Sequence, residues 1–345
     1  MKAVKLYKFD DIRIEEIPLP EPGEREALVK VKACGICSGD VMPWYIEKKA
    51  PLVLGHEISG KIVKIGKSIK KEISLKEGDR IAVHHHAPCM KCFYCKRGDY
   101  VQCDTWRKTK IIPGGLAEYI ILPEVNLKND TLKLPLKVSF EDGALIEPTA
   151  CVVKSLKRAN VKKGDTLLVI GLGVMGQLHI MLARAFGAKR VIGADMVAFR
   201  LEKALQAGAD YVIDVSKENI SEKLKEITEG LMPQVVIVGP GKTDVISESL
   251  KLVSRGGTIL IFTPTPPEER LTISVNDIYF NDITITTSYS SGPDDMKEAL
   301  KFIEKGIVNS DLLITHRFPL EKVKEAYEIT AKARDSLKCL ILLDS

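Results

Sequence analysis

Between Asp165 and about Thr287 short apolar runs alternate with amphipathic stretches. The runs TLLVI, RVIGAD, YVIDV, QVVIV, TILIF and DITITTSY have the length and β-branched content of buried strands. Between them, GLGVMGQLHIMLARAFGA, MVAFRLEKALQAGA and TDVISESLKLVSRGG read as helices. This alternation predicts an α/β unit, a doubly wound parallel sheet with right-handed crossovers. The preceding residues are patterned differently. ALVKVKAC, ISGKIVKIG, RIAVHHH and LAEYIILP are short strand candidates broken by turn-formers such as PLPEPGERE and KEGDR, which predicts a β-rich, loop-bearing domain. EPTACVVKSLKRANV reads as a helix where the pattern changes, near Glu147. Beyond about Ser290 come the helices DDMKEALKFIEKG and LEKVKEAYEITAKA and a closing strand, LKCLILLDS, which no longer continue the alternation. The expected plan is therefore a first domain over 1–148, an α/β domain over 149–288 and a return to the first over 289–345.

Composition narrows the functional classes. The chain has 345 residues, 45% apolar and 28% charged, enough for two domains with real cores. Its net charge of +5 comes from 51 basic and 46 acidic residues interleaved along the chain, without the clustered basic stripe of a nucleic-acid reader. No apolar run reaches membrane-spanning length, and the start, MKAVKLYKFDDIRIEE, lacks the apolar segment of a signal peptide. A cytoplasmic protein with neither nucleic-acid nor membrane partners is expected. In that setting eight cysteines favour metal or catalysis over disulfides.

Cys89, Cys92, Cys95 and Cys103 stand at the spacing C-x2-C-x2-C-x7-C, which lets four thiolates converge on one structural zinc. A second constellation is dispersed: Cys37 in CGICSGD, His56 and Glu57 in LGHEISG, and Glu147 in LIEPTA. Each alone has a plain structural reading, but thiol, imidazole and carboxylate together suit a zinc site with a position left open for water or substrate. Gly171-Leu172-Gly173-Val174-Met175-Gly176 follows a strand and opens a helix, the context in which GxGxxG cradles a pyrophosphate on free N–H groups. Asp195 ends the next strand, where its carboxylate would bind the ribose hydroxyls and repel a 2′-phosphate, favouring NAD over NADP. The expected cofactor contacts are Gly171, Gly173, Val174, Gly176, Asp195 and Arg200, the last reaching the adenine or its ribose.

CGICSGD, GHE, the four-cysteine lobe, the Glu147-Pro148 pair, GLGVMG and Asp195 follow one another in the order found in zinc-dependent medium-chain dehydrogenases. The whole chain resembles the sorbitol and threonine dehydrogenase branch of that family. The resemblance implies a GroES-like catalytic domain, with its zinc lobe at about 84–106, around a Rossmann domain, and an active site in the cleft between them. It implies Cys37, His56 and Glu57 as ligands of a catalytic zinc, with Glu147 completing or exchanging into the shell. Two zinc ions per chain, NAD and a homodimer or homotetramer are its expected cofactors and assembly. One position departs from the family pattern, Cys-x-Ser/Thr-Asp, whose hydroxyl relays the substrate proton: here Gly39 stands there, between Ser38 and Asp40. Ser38, a zinc-bound water or a substrate hydroxyl would then have to pass the proton.

The expected reaction is hydride transfer between a secondary alcohol (a polyol, an amino alcohol or a cyclic polyol) and NAD, giving a ketone. The alternatives are a zinc-free NADPH quinone or enoyl reductase on the same scaffold and a non-catalytic, zinc-stabilised NAD-binding protein. Trp44, Trp106, Thr149 and the strand end His84–His86 are candidates for the pocket lining. Alternation along an extended strand keeps the three histidines from sharing one ion. Cys34, Cys151 and Cys339 read as packing residues.

Overall fold

The structure, a computed structural model, describes residues 1–343. The chain divides into two compact units. The first comprises Met1–Ala150, Ser290–Gly306 and the chain from Ile314 onward; the second comprises Cys151–Tyr289 and Ile307–Leu313. In chain order the strands of the first unit are β1 (Lys2–Lys8), β2 (Asp11–Glu16), β3 (Ala27–Gly35), β4 (Leu52–Val53), β5 (Glu57–Ile65), β6 (Arg80–His84), β7 (Tyr119–Leu122) and β8 (Thr131–Lys133). The second unit holds β9 (Thr166–Ile170), β10 (Arg190–Asp195), β11 (Tyr211–Asp214), β12 (Val235–Val238), β13 (Thr258–Ile261) and β14 (Thr284–Thr287). The returning chain adds β15 (Ile314–Pro319) and β16 (Lys338–Leu342) to the first unit.

The main sheet of the first unit runs β15-β16-β3-β5-β6-β8, with β7 also pairing β3, and β1 forms a small sheet with β2 and β4. Val29, Val31, Ile58, Ile62, Ile81, Ile120 and Ile341 share its core, so the period-2 pattern of the strands becomes a buried face. The register matters most for function. Glu57 at the start of β5 lies opposite Gly35 at the end of β3 and opposite His84 at the end of β6. Antiparallel pairing thus brings three separate sequence motifs to one end of the sheet.

The second unit is a six-stranded sheet in the order β11-β10-β9-β12-β13-β14, parallel throughout. Leu168, Ile192, Val236 and Ile259 lie in its core, which is why these strands read as unbroken apolar runs. It is the α/β sheet that the alternation predicts. The finer pattern departs in places. TDVISESLKLVSRGG forms a helix only over Thr243–Ser249, the opening stretch MKAVKLYKFDDIRIEE, which reads as one strand, folds as the antiparallel pair β1 and β2, and β15 goes unread in the sequence because its exposed residues interrupt any apolar run. β15 is recruited by parallel pairing to β16. Among the described residues no helix is long and apolar enough to cross a membrane.

Candidate active site

Cys37 caps the short 3-10 helix Ser38–Val41 just after β3, its Sγ accepting the Gly39 N–H at 3.4 Å. Gly55 holds φ at +93°, and a Cβ there would stand 2.6 Å from Leu116 N and 2.8 Å from Cys34 Sγ. Only glycine can make this turn, which delivers His56 and Glu57 to the same place. The ligand atoms of Cys37, His56 and Glu57 lie within 4.8 Å of one another. Gly35 makes room for the glutamate, since a Cβ on it would fall 1.9 Å from Glu57 Oε2.

The charges around this cluster are arranged in pairs. Glu57 and Lys338 are both buried, and Lys338 Nζ donates to the two Glu57 carboxylate oxygens at 2.8 and 2.7 Å and to Ile36 O at 3.0 Å. Buried Asp40 places Oδ2 3.6 Å from His56 Nδ1. Burial opposes a charge on His56, yet Asp40, Cys37 and Glu147 raise its pKa well above the usual imidazole range. The surroundings therefore attract a cation. One sulfur, one imidazole and one carboxylate are the donor set of an open zinc site, and these residues fit that metal. Glu147, buried at the start of the helix Ile146–Arg158, falls outside the three-residue group, although its charge reaches His56.

The four-cysteine lobe is a second centre. Cys89, Cys92, Cys95 and Cys103 bring their sulfurs within 4.8 Å of one another, with Cys89–Cys95 at 4.0 Å and Cys92–Cys95 at 3.5 Å. Four sulfurs about 2.3 Å from one tetrahedral zinc would stand about 3.8 Å apart, whereas a disulfide needs about 2.05 Å. Burial and the neighbouring Cys92 and Cys103 push the Cys95 thiol up to about 12. Cys103, despite burial, is drawn down to about 6 by the N–H groups of Cys89 and Trp106. Crowded thiols of this kind ionise together only around a cation, so this set also fits a metal.

In the second unit Gly171 has φ +86°, and a Cβ there would meet Pro240 Cδ at 2.9 Å. Gly176 sits under the turn, where a Cβ would be 2.1 Å from Gly171 O. A Cβ on Gly173 would meet nothing within 4 Å, so the helix Val174–Ala183 begins beside open space, the cradle a pyrophosphate requires. Asp195 closes β10 and accepts N–H bonds from Leu172 at 2.7 Å, Met196 at 2.7 Å and Val197 at 3.0 Å. Arg200 Nη1 stands 3.4 Å from Asp195 Oδ2. The residues fit a dinucleotide, and Asp195 also fastens the glycine turn to the neighbouring strand.

Several sequence expectations change in the folded chain. β6 ends at His84, so His85 and His86 lie beyond the strand and strict alternation does not govern them. His84 Nδ1 pairs with buried Asp130 at 2.8 Å, and the His86 ring lies against Trp106 with centroids 4.3 Å apart and the planes tilted by 36°. Trp106 belongs to the cysteine lobe's core with Cys95, Val101 and Cys103, a packing role in place of the pocket lining expected for it. Cys34 and Cys339 are buried as expected, whereas Cys151 is only half-buried. Thr149 is buried and Trp44 half-buried. Sequence reasoning passed over Asp40 and Lys338. Lys338, alone and charged in the apolar run LKCLILL, was the available signal for a buried partner.

Two family descriptions match the chain: "Alcohol dehydrogenase GroES-like domain" over residues 23–135 and "Zinc-binding dehydrogenase" over 174–305. A sorbitol dehydrogenase of Ovis aries is 35% identical over 351 residues, spanning 97% of this chain and 94% of that protein. Two solved structures share the fold over almost the full length of both chains. A zinc-binding dehydrogenase from Sinorhizobium meliloti bound to NADP has TM-score 0.87 and 28% identity, covering 99% of this chain and 98% of its own. An alcohol dehydrogenase from Escherichia coli complexed with NADH has TM-score 0.88 and 26% identity, covering 99% of each. With both centres and the dinucleotide turn in this order along the chain, the protein belongs to the zinc-dependent medium-chain polyol dehydrogenases.

Proposed function

We propose that this chain oxidises a secondary alcohol of a polyol or cyclic polyol to the ketone, with NAD as acceptor and two zinc ions per chain. The observation that carries the reading is the convergence of Cys37, His56 and Glu57 within 4.8 Å, in a chain that also bears the glycine turn and Asp195. When bound, zinc eases loss of the alcohol's hydroxyl proton and the nicotinamide accepts the carbinol hydride. The chain's own residues prepare the site. Cys37, His56 and Glu57 hold the metal, with Glu147 in reserve outside the group. Asp40, 3.6 Å from His56 Nδ1, places a carboxylate behind the ring. Lys338 holds Glu57 in place and balances its charge.

NAD is the form we infer, because the Asp195 carboxylate at the end of β10 would repel a 2′-phosphate bound beside it. The relatives bind either form, so this choice rests on Asp195. A homo-oligomer is supported by the edge strand β14 and the adjoining helix Val275–Phe280, where Val275, Tyr279 and Phe280 are 72%, 76% and 75% exposed. Light scattering would give a mass above one chain, and a monomer at micromolar concentration would refute it.

The direct test is metal analysis beside NAD reduction across sorbitol, xylitol, inositols, threonine and simple secondary alcohols. Two zincs per chain and turnover of a polyol are expected. Cys37→Ser should lose one zinc and nearly all turnover while keeping its NAD affinity; full turnover after that loss would sink the reading.

A further inference from the structure

Oxidation of an alcohol to a ketone releases a hydride and a proton, and the proton needs a route out of the site. Near the metal cluster Lys338 binds both Glu57 oxygens, and buried Asp40 stands 3.6 Å from His56, behind the ring. Gly39 carries no hydroxyl. What the structure puts beside it is Tyr45. A Cβ built on Gly39 would lie 3.6 Å from Cys37 Sγ, 3.7 Å from Tyr45 Cε1 and 3.9 Å from Tyr45 Cδ1. The space left by the absent side chain therefore lies between the Cys37 sulfur and the edge of the Tyr45 ring. Cε1 neighbours the carbon that bears the phenol hydroxyl, so the hydroxyl lies toward that edge.

The ring is held from several sides. Tyr45 sits in the short helix Pro43–Ile46, its N–H bonded to Met42 O at 3.0 Å. Trp44 meets it edge-on with centroids 5.7 Å apart, and Lys49 Nζ lies 3.7 Å from the ring centroid. Tyr45 is half-buried, so part of the side chain stays open to water. Ser38, the other nearby hydroxyl, precedes Gly39 on a 3-10 helix. With about three residues per turn, its side chain points about 120° away from the Gly39 direction.

We propose that the Tyr45 hydroxyl is the proton relay of this site, in the place that Gly39 leaves vacant. The inference rests on the alcohol dehydrogenase reading above. The alcohol's O–H bond breaks as its proton passes to Tyr45 Oη, and the phenol's own proton passes to water. The hydride leaves with its electron pair to the nicotinamide, so tyrosine ends neutral and one proton reaches solvent for each ketone formed.

Tyr45→Phe keeps the ring, the Lys49 contact and the room at Gly39, and removes only the hydroxyl. In the zinc-loaded full chain turning over its best polyol, kcat at neutral pH should fall about 100-fold, with KM changed less than about threefold. The deficit should shrink as pH rises and hydroxide takes the proton directly. Zinc content and NAD affinity, measured by metal analysis and fluorescence, should match wild type. Polyol binding by calorimetry without NAD should weaken about fivefold through the lost hydrogen bond. Adding Gly39→Ser to Tyr45→Phe should restore part of kcat, since its Cβ fits at ordinary contact distance, whereas Ser38→Ala should cost less than about twofold. Wild-type turnover and pH profile in Tyr45→Phe, or a loss of equal size at every pH, would overturn the relay alone. A wild type inert toward every polyol would overturn the functional reading and the relay with it.

Discussion

Lys338 brings a charge into the interior of the sheet and meets Glu57 there, each side chain 1% exposed. Burial works against the ammonium, but Glu57, Cys37 and Glu147 together more than offset it and raise the Lys338 pKa. Such a pair adds little net stability compared with apolar packing, yet breaking it strands the other charge. Lys338→Met should therefore cost about 3–5 kcal/mol in denaturant unfolding. A loss below about 1 kcal/mol would mean that water reaches Glu57 or that the carboxyl is protonated. The same variant should lower zinc content at the Cys37 cluster before it touches the lobe, because Glu57 loses its anchor.

Among the elements, the glycine turn between β9 and its helix separates folding from binding. Gly176→Ala would drive a Cβ to 2.1 Å from Gly171 O, so it should lower both the melting temperature and dinucleotide affinity. Gly173→Ala meets no protein atom within 4 Å. It should leave the melting temperature within about 2 °C of wild type and weaken NAD binding about tenfold or more, since the added carbon occupies the phosphate's place. Equal NAD affinity in Gly173→Ala, read by fluorescence titration, would move the pyrophosphate elsewhere. The cysteine lobe makes the complementary case. Cys95→Ala removes one sulfur from a closed set, so one zinc should be lost and thermal stability should fall, with kcat per remaining catalytic zinc little changed. A lobe variant of unaltered stability would contradict the structural role.

Over the whole molecule, an exposed ion-pair network ties distant stretches of the first unit. Arg25 bonds Glu72 at 2.8 Å and Glu124 at 2.5 Å, and Lys128 bonds both carboxylates. The Arg25 and Lys128 contacts hold Glu72 and Glu124 at about 2, below their ordinary 4.5. Depressed carboxylates stabilise the fold above about pH 4.5 and lose that contribution as pH falls toward 2. The melting temperature of wild type should thus exceed that of Glu124→Gln at neutral pH, and the gap should close in acid and shrink in high salt. A gap that persisted at pH 2 would assign the difference to packing.

Much of this was legible in the chain itself. The alternation over 165–287 specified a parallel sheet because buried strands and amphipathic helices have different periods, and the spacing of Cys89, Cys92, Cys95 and Cys103 specified a metal lobe because its ligands are local. Cys37, His56 and Glu57 could be named as candidates by residue type. Their meeting, however, depends on antiparallel register across β3, β5 and β6, which no local window encodes. For the same reason Lys338, far along the chain from Glu57, and Tyr45, packed into the space of a missing side chain, emerged only from the folded structure. Local spacing determined which candidate ligands and which dinucleotide turn the chain carries; long-range pairing decided which of these side chains meet, because register across a sheet is set by the whole fold.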